Sequence, residues 1–319
     1  FVYKHKKGEI EIEYLSLAGT TRNCAGGLTP WGSWITCEEA VDRAGGNKEV
    51  DHGYCFEVPA SAEIGLADPV PLKEMGRFNH EAVVVDPRSG IVYLTEDRPD
   101  GLLYRFLPEE KGNLKAGGKL QALAFESHDQ SETRNWAGLE AERIEVGKKV
   151  RVRWIDLDNV ASPEDDLRYR GYDAGAAKFA RGEGMWFGED EFYFACTNGG
   201  AIQKGQIWKY QPSLLEGTPD EVKSPGLLSL FAEPNDKELL KYCDNLTVSP
   251  WGDLIICEDD HDPRLVGINP KGETYLFGHN IGFESELTGA CFSPNGKTLF
   301  VNIQHVGLTL AIEGPWPGA

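Results

Sequence analysis

Positive charge is scarce in this chain. Thirty-two Lys and Arg stand against 51 Asp and Glu over 319 residues, a formal net charge of −19. A field of that sign repels nucleic acid and anionic membrane surfaces, so neither is expected as a partner. Long hydrophobic runs are missing too: no apolar stretch approaches the roughly 20 residues that a membrane-spanning helix needs. The seven cysteines, Cys24, Cys37, Cys55, Cys196, Cys243, Cys257 and Cys291, include no CxxC pair and no tight framework spacing. Five of them, all but Cys24 and Cys243, sit within or beside apolar strand-like runs. That predicts reduced thiols packed as small hydrophobes. The chain opens at Phe1 with neither an initiator methionine nor an apolar signal segment, so an upstream piece is expected to have been removed or left out.

Turn formers and aromatics are abundant instead: 37 Gly, 18 Pro, 14 Phe, 11 Tyr and 8 Trp. They recur in a fixed pattern, an apolar stretch, a turn with Pro or Gly, and a second apolar strand ending in small and acidic residues. The examples are LTPWGSWITCEE (28–39), VVVDPRSGIVYLTED (83–97), LTVSPWGDLIICEDD (246–260) and CFSPNGKTLFVNIQ (291–304). MWFGEDEFYFACTN (185–198) is a variant with Gly-Glu-Asp at the turn. Proline presets φ and the following glycine supplies positive φ, which joins two antiparallel strands. Region 119–158 lacks this signature, but LQALAFES and KKVRVRWIDL read as strands with room for a short helix between them. Counting that region gives about six units of near 50 residues, the size of four-stranded propeller blades. The expected fold is all-β, a six-bladed β-propeller preferred to seven blades, forming one domain over 1–319. A double β-sandwich is the alternative. The alternating segment 9–17 would be an outer or closing strand, and 162–184 is the one helical candidate, with Ser162 as its cap and Pro163 in its first turn.

Acidic residues cluster at two places in each unit. Glu38 and Glu39, Glu96 and Asp97, and Glu258 with Asp259 and Asp260 follow the second strand. Glu81, Glu183, Asp244 and Glu286 flank unit starts. In a ring of blades, equivalent positions converge on the axis. Two carboxylates about 5 Å apart at an effective dielectric near 20 repel by about 3 kcal/mol, so such a ring calls for bound cations or protonation. Oxygen donors suit calcium, and a thiol such as Cys37, just before Glu38, suits a softer metal such as iron. Read singly, each residue has an ordinary alternative: solvated loop charges, a buried strand cysteine, an Asx turn at Asp244-Asn245, and surface or core histidines at 80, 261 and 305.

Five blocks in order, RNCAGGLTPWGSWITCEE (22–39), GRFNHEAVVVDP (76–87), RGEGMWF (181–187), CDNLTVSPWGDLIICED (243–259) and ELTGACFSPNGKTLFVNIQH (286–305), resemble the PhoX-type alkaline phosphatases. The resemblance runs from about 20 to 312 and is thinnest over 109–170. It implies a six-bladed propeller whose funnel holds iron and calcium, hydrolysing small phosphate monoesters outside the cytoplasm, in the periplasm or beyond; a monomer is expected. By the same resemblance Cys37 would be an iron ligand, Glu81 a second iron or bridging ligand, and Glu183 a metal bridge. Asp244, Glu258 or Asp259, and Glu286 would complete the set. Arg181 would bind the phosphoryl group and Asn23 would contact phosphate. The connections look tighter than in typical members, which leaves room for a changed substrate. A calcium-dependent lactonase using Glu81, Asn198, Asn245 and Asp259, and a non-enzymatic binding propeller, are the competing readings.

Overall fold

The computed structural model describes residues 2–4 and 7–317. Five hairpins organise it, and they are the five Pro/Gly-turn segments of the sequence. Their inner strands are Asn23–Leu28, His80–Val85, Gly182–Phe187, Cys243–Val248 and Leu287–Phe292. Each pairs antiparallel with the next strand, respectively Ser33–Glu38, Val92–Glu96, Phe192–Cys196, Leu254–Glu258 and Thr298–Ile303. The turns close as their chemistry demands. In the first and fourth, Thr29 N donates to Ser33 O at 2.9 Å and Ser249 N to Asp253 O at 2.7 Å. Gly32 and Gly252 there take φ of 85° and 92°, which a side chain would resist.

The inner strands share an irregularity. Every inner ladder slips register near its start, between Cys24 and Gly27, His80 and Val83, Gly182 and Met185, Cys243 and Leu246, and Thr288 and Cys291. Such a bulge leaves residues unpaired and re-aims their side chains. One backbone bond recurs beside every slip. Glu39 N donates to Arg22 O (3.0 Å), Asp97 N to Asn79 O (3.2 Å), and Thr197 N to Arg181 O (3.1 Å). Asp259 N donates to Tyr242 O (2.9 Å) and Gln304 N to Glu286 O (3.1 Å). The residue after each second strand is thereby pinned to the residue before each inner strand.

The inner strands pack side by side in chain order. The first two are linked in parallel through Gly26 and Ala82. Small residues permit this approach: a Cβ on Gly27 would lie 1.9 Å from Val83 O, and one on Gly184 2.6 Å from Asn245 Cα. Outward from them the strands join into a largely continuous, curled 13-stranded sheet, with separate four- and three-stranded sheets for the fourth and fifth units. This is the all-β architecture expected from the turns, not two facing sheets. Buried aromatics fill the wedge between the second and third units, Tyr93, Phe179, Phe192, Phe194, Trp208 and Tyr210 among them.

Three expectations need correction. Region 119–158 does not form a unit of its own with an inner strand: Gly118–Phe125 extends the second sheet, and Lys149–Asp156 pairs both with it and with Leu227–Ala232 of the third. No helix stands between those two strands. The helix of 162–184 shrinks to Leu167–Asp173, because Ser162 and Asp165 take positive φ and the Ser162 hydroxyl accepts the N–H groups of Asp166 and Leu167 from outside it. Segment Glu9–Ile12 pairs with Val2–Lys4 in a two-stranded sheet and with no other strand among the described residues.

Because backbone atoms face Gly184, Gly184→Ala should force the third and fourth inner strands apart. A loss of about 1–3 kcal/mol is expected from overpacking, read as a lower urea midpoint; an unchanged midpoint would mean the strands separate freely.

Candidate metal centre

Aligning the units on the recurring backbone bond places Cys24, Glu81, Glu183, Asp244 and Thr288 at one position, the second residue of each inner strand. The first four converge. Donor atoms of Cys24, Glu39 and Glu81 lie within 4.8 Å of one another, and so do those of Glu81, Glu183 and Asp244. Glu81 belongs to both groups. It is buried, and its Oε1 has no hydrogen-bond partner. An uncompensated buried carboxylate oxygen is costly, and a cation is the simplest partner that the surrounding donors allow.

The paired acids at the ends of the second strands divide their labour by strand alternation. Glu38, Glu96 and Glu258 are fully buried and face away from the group. Glu38 accepts the N–H groups of Thr21, Gly53 and Tyr54 and bonds His52 Nδ1 at 2.6 Å. Glu96 accepts from Tyr104 OH at 2.8 Å and from Leu102 N. Glu258 accepts from Lys241 N at 2.8 Å and takes the fork of Arg264, Nε at 2.8 Å and Nη2 at 2.6 Å. Their neighbours Glu39, Asp97 and Asp259, each pinned by the recurring backbone bond, turn inward.

Arg181 stands at the rim with φ of 51°, a conformation held by the bond from Thr197 N to its carbonyl. Its Nε and Nη2 donate to Asp97 at 2.7 and 3.0 Å, and Nη2 also donates to Glu183 at 2.7 Å. Nη1 has no protein partner among the described residues, so one edge of the guanidinium is available to an anion.

Burial and mutual repulsion push these acids up. The Asp244 carboxyl rises to about 7, through burial first and Asp259 next, against the pull of Arg181. Glu286 rises to about 8, through burial and the charges of Asp244 and Asp259. Glu81 and Glu183 are held well above the carboxylate range by burial, with Asp244 the chief neighbouring charge for both. Burial beside Glu81 also raises the Cys24 thiol. Without cations this centre holds protons.

Of the sequence candidates, Glu81, Glu183, Asp244, Asp259, Glu286 and Arg181 come together here. Three stand apart. Cys37 lies in the core with its Sγ 3.6 Å from that of Cys55. Glu258 is saturated by Arg264 and backbone N–H groups. Asn23 is exposed, bonded to Thr20 and Thr36. Sequence reasoning missed Cys24 as the thiol in the group. The signal was present: NCAG, HEAV, GEGM and CDNL align, with Cys24 in the place of the acids.

Across residues 4–307 the chain matches the sequence model of alkaline phosphatase PhoX. It belongs to the PhoX family. A Pseudomonas fluorescens PhoX structure, solved with the transition-state analogue vanadate, superposes with a TM-score of 0.63 at 21% identity. That comparison covers 90% of this chain and 65% of the Pseudomonas one, so this chain spans just under two thirds of that PhoX and shares its fold. A Xanthomonas campestris gluconolactonase matches more distantly, at 14% identity and a TM-score of 0.41 over 84% of this chain and 64% of its own. No curated protein matches significantly.

Adjacent acids of this PhoX-family chain should behave oppositely. Glu258→Gln is expected to cost about 3–5 kcal/mol in urea unfolding, since Arg264 loses its buried partner. Asp259→Asn should leave the stability of chelator-treated protein intact or raised while lowering bound metal; equal effects of the two would contradict the alternation. The pH dependence has a definite sign. Folded-state carboxyls raised to about 7 and 8 bind protons that the unfolded chain has released by pH 5. Chelated protein should therefore lose stability as pH rises from about 4 to 8, and added divalent metal should restore it. A melting temperature of the chelated protein that rises across this window would refute the repulsion argument.

Proposed function

We propose that this chain is a metal-dependent phosphate monoester hydrolase acting on a small-molecule ester. The observation that carries the reading is the convergence of Cys24, Glu39, Glu81, Glu183 and Asp244 around an unpartnered buried oxygen, beside an arginine with a free edge, in a PhoX-family chain. The donor set fits the iron and calcium implied by the family resemblance. Cys24 with Glu39 and Glu81 makes a mixed thiol–carboxylate set suited to iron, and Glu81, Glu183 and Asp244 make an all-oxygen set suited to calcium. Bound there, these ions would supply the Lewis acidity that polarises a phosphoryl oxygen.

The chain's own groups do the rest. Arg181 binds the phosphoryl oxygens through Nη1 and neutralises charge that grows on them in the transition state. Asp97 and Glu183 hold the guanidinium from two sides, so little reorganisation is needed when substrate arrives. With ions bound, the cluster would also invert the local field that a protein of net charge −19 presents to a dianionic ester. Export to the periplasm or outside the cell, and action as a monomer, are the accompanying proposals. A lactonase built on oxygen donors alone has no use for the Cys24 thiol.

Elemental analysis paired with hydrolysis of an aryl phosphate tests this. Cys24→Ser should lower both bound iron and turnover, whereas Cys37→Ala should spare both. Arg181→Lys keeps the charge but loses the fork, so metal content should persist while turnover falls roughly 100-fold. Full activity in protein free of iron and calcium would sink the proposal.

A further inference from the structure

The thiol that stands apart from the cluster has a partner of its own. Cys37 and Cys55 lie directly opposite on neighbouring antiparallel strands, Ser33–Glu38 and Cys55–Pro59. One residue along, Glu38 N donates to Tyr54 O at 3.0 Å, which makes Cys37 and Cys55 the non-hydrogen-bonded pair. Such pairs bring Cα atoms to about 4.5 Å, inside the roughly 4.4–6.8 Å that a disulfide spans. The sulfurs already stand 3.6 Å apart on the same face of the sheet. Cys55 is further fixed by His80, whose Nδ1 is 3.3 Å from its sulfur and whose Nε2 lies 3.0 Å from Gly76 O. Phe78 stacks on that imidazole, with ring centroids 3.6 Å apart.

We propose that Cys37 and Cys55 are a redox pair that closes to a cross-strand disulfide in the presence of a disulfide oxidant. Among the described residues this is the one pair of cysteine sulfurs in mutual contact, and no reorientation of either strand is needed to join them. It is distinct from the acidic centre, in which the thiol is Cys24.

The chemistry balances with a low-molecular-weight disulfide, RSSR. The sulfur of Cys55 attacks one sulfur of RSSR, forming a mixed disulfide and releasing RSH. The sulfur of Cys37 then attacks the Cys55 sulfur and releases the second RSH. Two electrons pass from the cysteine pair to RSSR, and the two thiol protons leave on the two RSH molecules. Both cysteines are wholly buried, so the oxidant enters by local opening. The route is short, because Cys55–Pro59 terminates its sheet and pairs with no further strand among the described residues. Once formed, the bond clips this edge strand to its neighbour across a separation of 18 residues.

The test incubates the metal-loaded protein with oxidised glutathione in sub-denaturing urea, followed by alkylation, peptide mapping and thiol titration in denaturant. Titratable thiols should fall from seven to five, with one linked peptide joining Cys37 to Cys55. The urea midpoint should rise and return to its starting value with dithiothreitol. Cys37→Ala and Cys55→Ala should each abolish both the linked peptide and the midpoint shift. Seven thiols retained, or a linkage joining any other cysteines, would overturn the proposal. The same mapping on the wild-type chain alone decides it, whether or not the variants fold.

Discussion

Carboxylates brought within 4.8 Å of one another repel, and the inner strands of this molecule have to contain that repulsion. Their convergence follows from geometry: the inner strands lie side by side, each with a register slip near its start, and four of the five bring the same position to one place. The fold then contains the repulsion with a ring of recurring backbone bonds that pin the strand ends. A buried layer of acids bonded by N–H groups, Tyr104, His52 and Arg264 stands behind it. Stability and chemistry are separated by a single residue of sequence, the saturated Glu258 and the inward-facing Asp259 being the clearest instance.

Much of the fold was legible in the sequence because turn chemistry is local. Pro30-Trp31-Gly32 and Pro250-Trp251-Gly252 announce hairpins whatever surrounds them, and all five hairpins stand where their turns put them. What was not legible depended on distant partners. Region 119–158 has strand composition but no inner strand, since its two strands bridge the second and third sheets, a pairing with Leu227–Ala232 that no local pattern encodes. The helix after Ser162 is cut short by residues at positive φ, which the capping pattern of Ser162 and Pro163 does not reveal.

The candidate site was legible as composition and partly wrong in register. Glu81, Glu183 and Asp244 stood out because acids at unit starts are conspicuous. Cys37 drew notice because it precedes two glutamates, yet its side chain packs in the core beside that of Cys55. Cys24, between Asn23 and Ala25, looked inert; only its place two residues after the backbone-bonded Arg22 equates it with the acids. Asn23 precedes it by one and for that reason faces out. Glu258 and Asp259 could not be told apart from spacing, and Arg264, six residues downstream, is what decides between them.

The recurring bond from each second-strand end to the residue before the inner strand has an evolutionary consequence. A one-residue insertion or deletion between a turn and its paired acids would exchange the anchoring and inward-facing members, leaving one charge stranded against the core and another in solvent. The phase of each second strand relative to its acids is therefore constrained by the architecture, more tightly than the turns at the far ends. Diversification among relatives should accordingly be sought at the outer strands and loops, where length carries no phase.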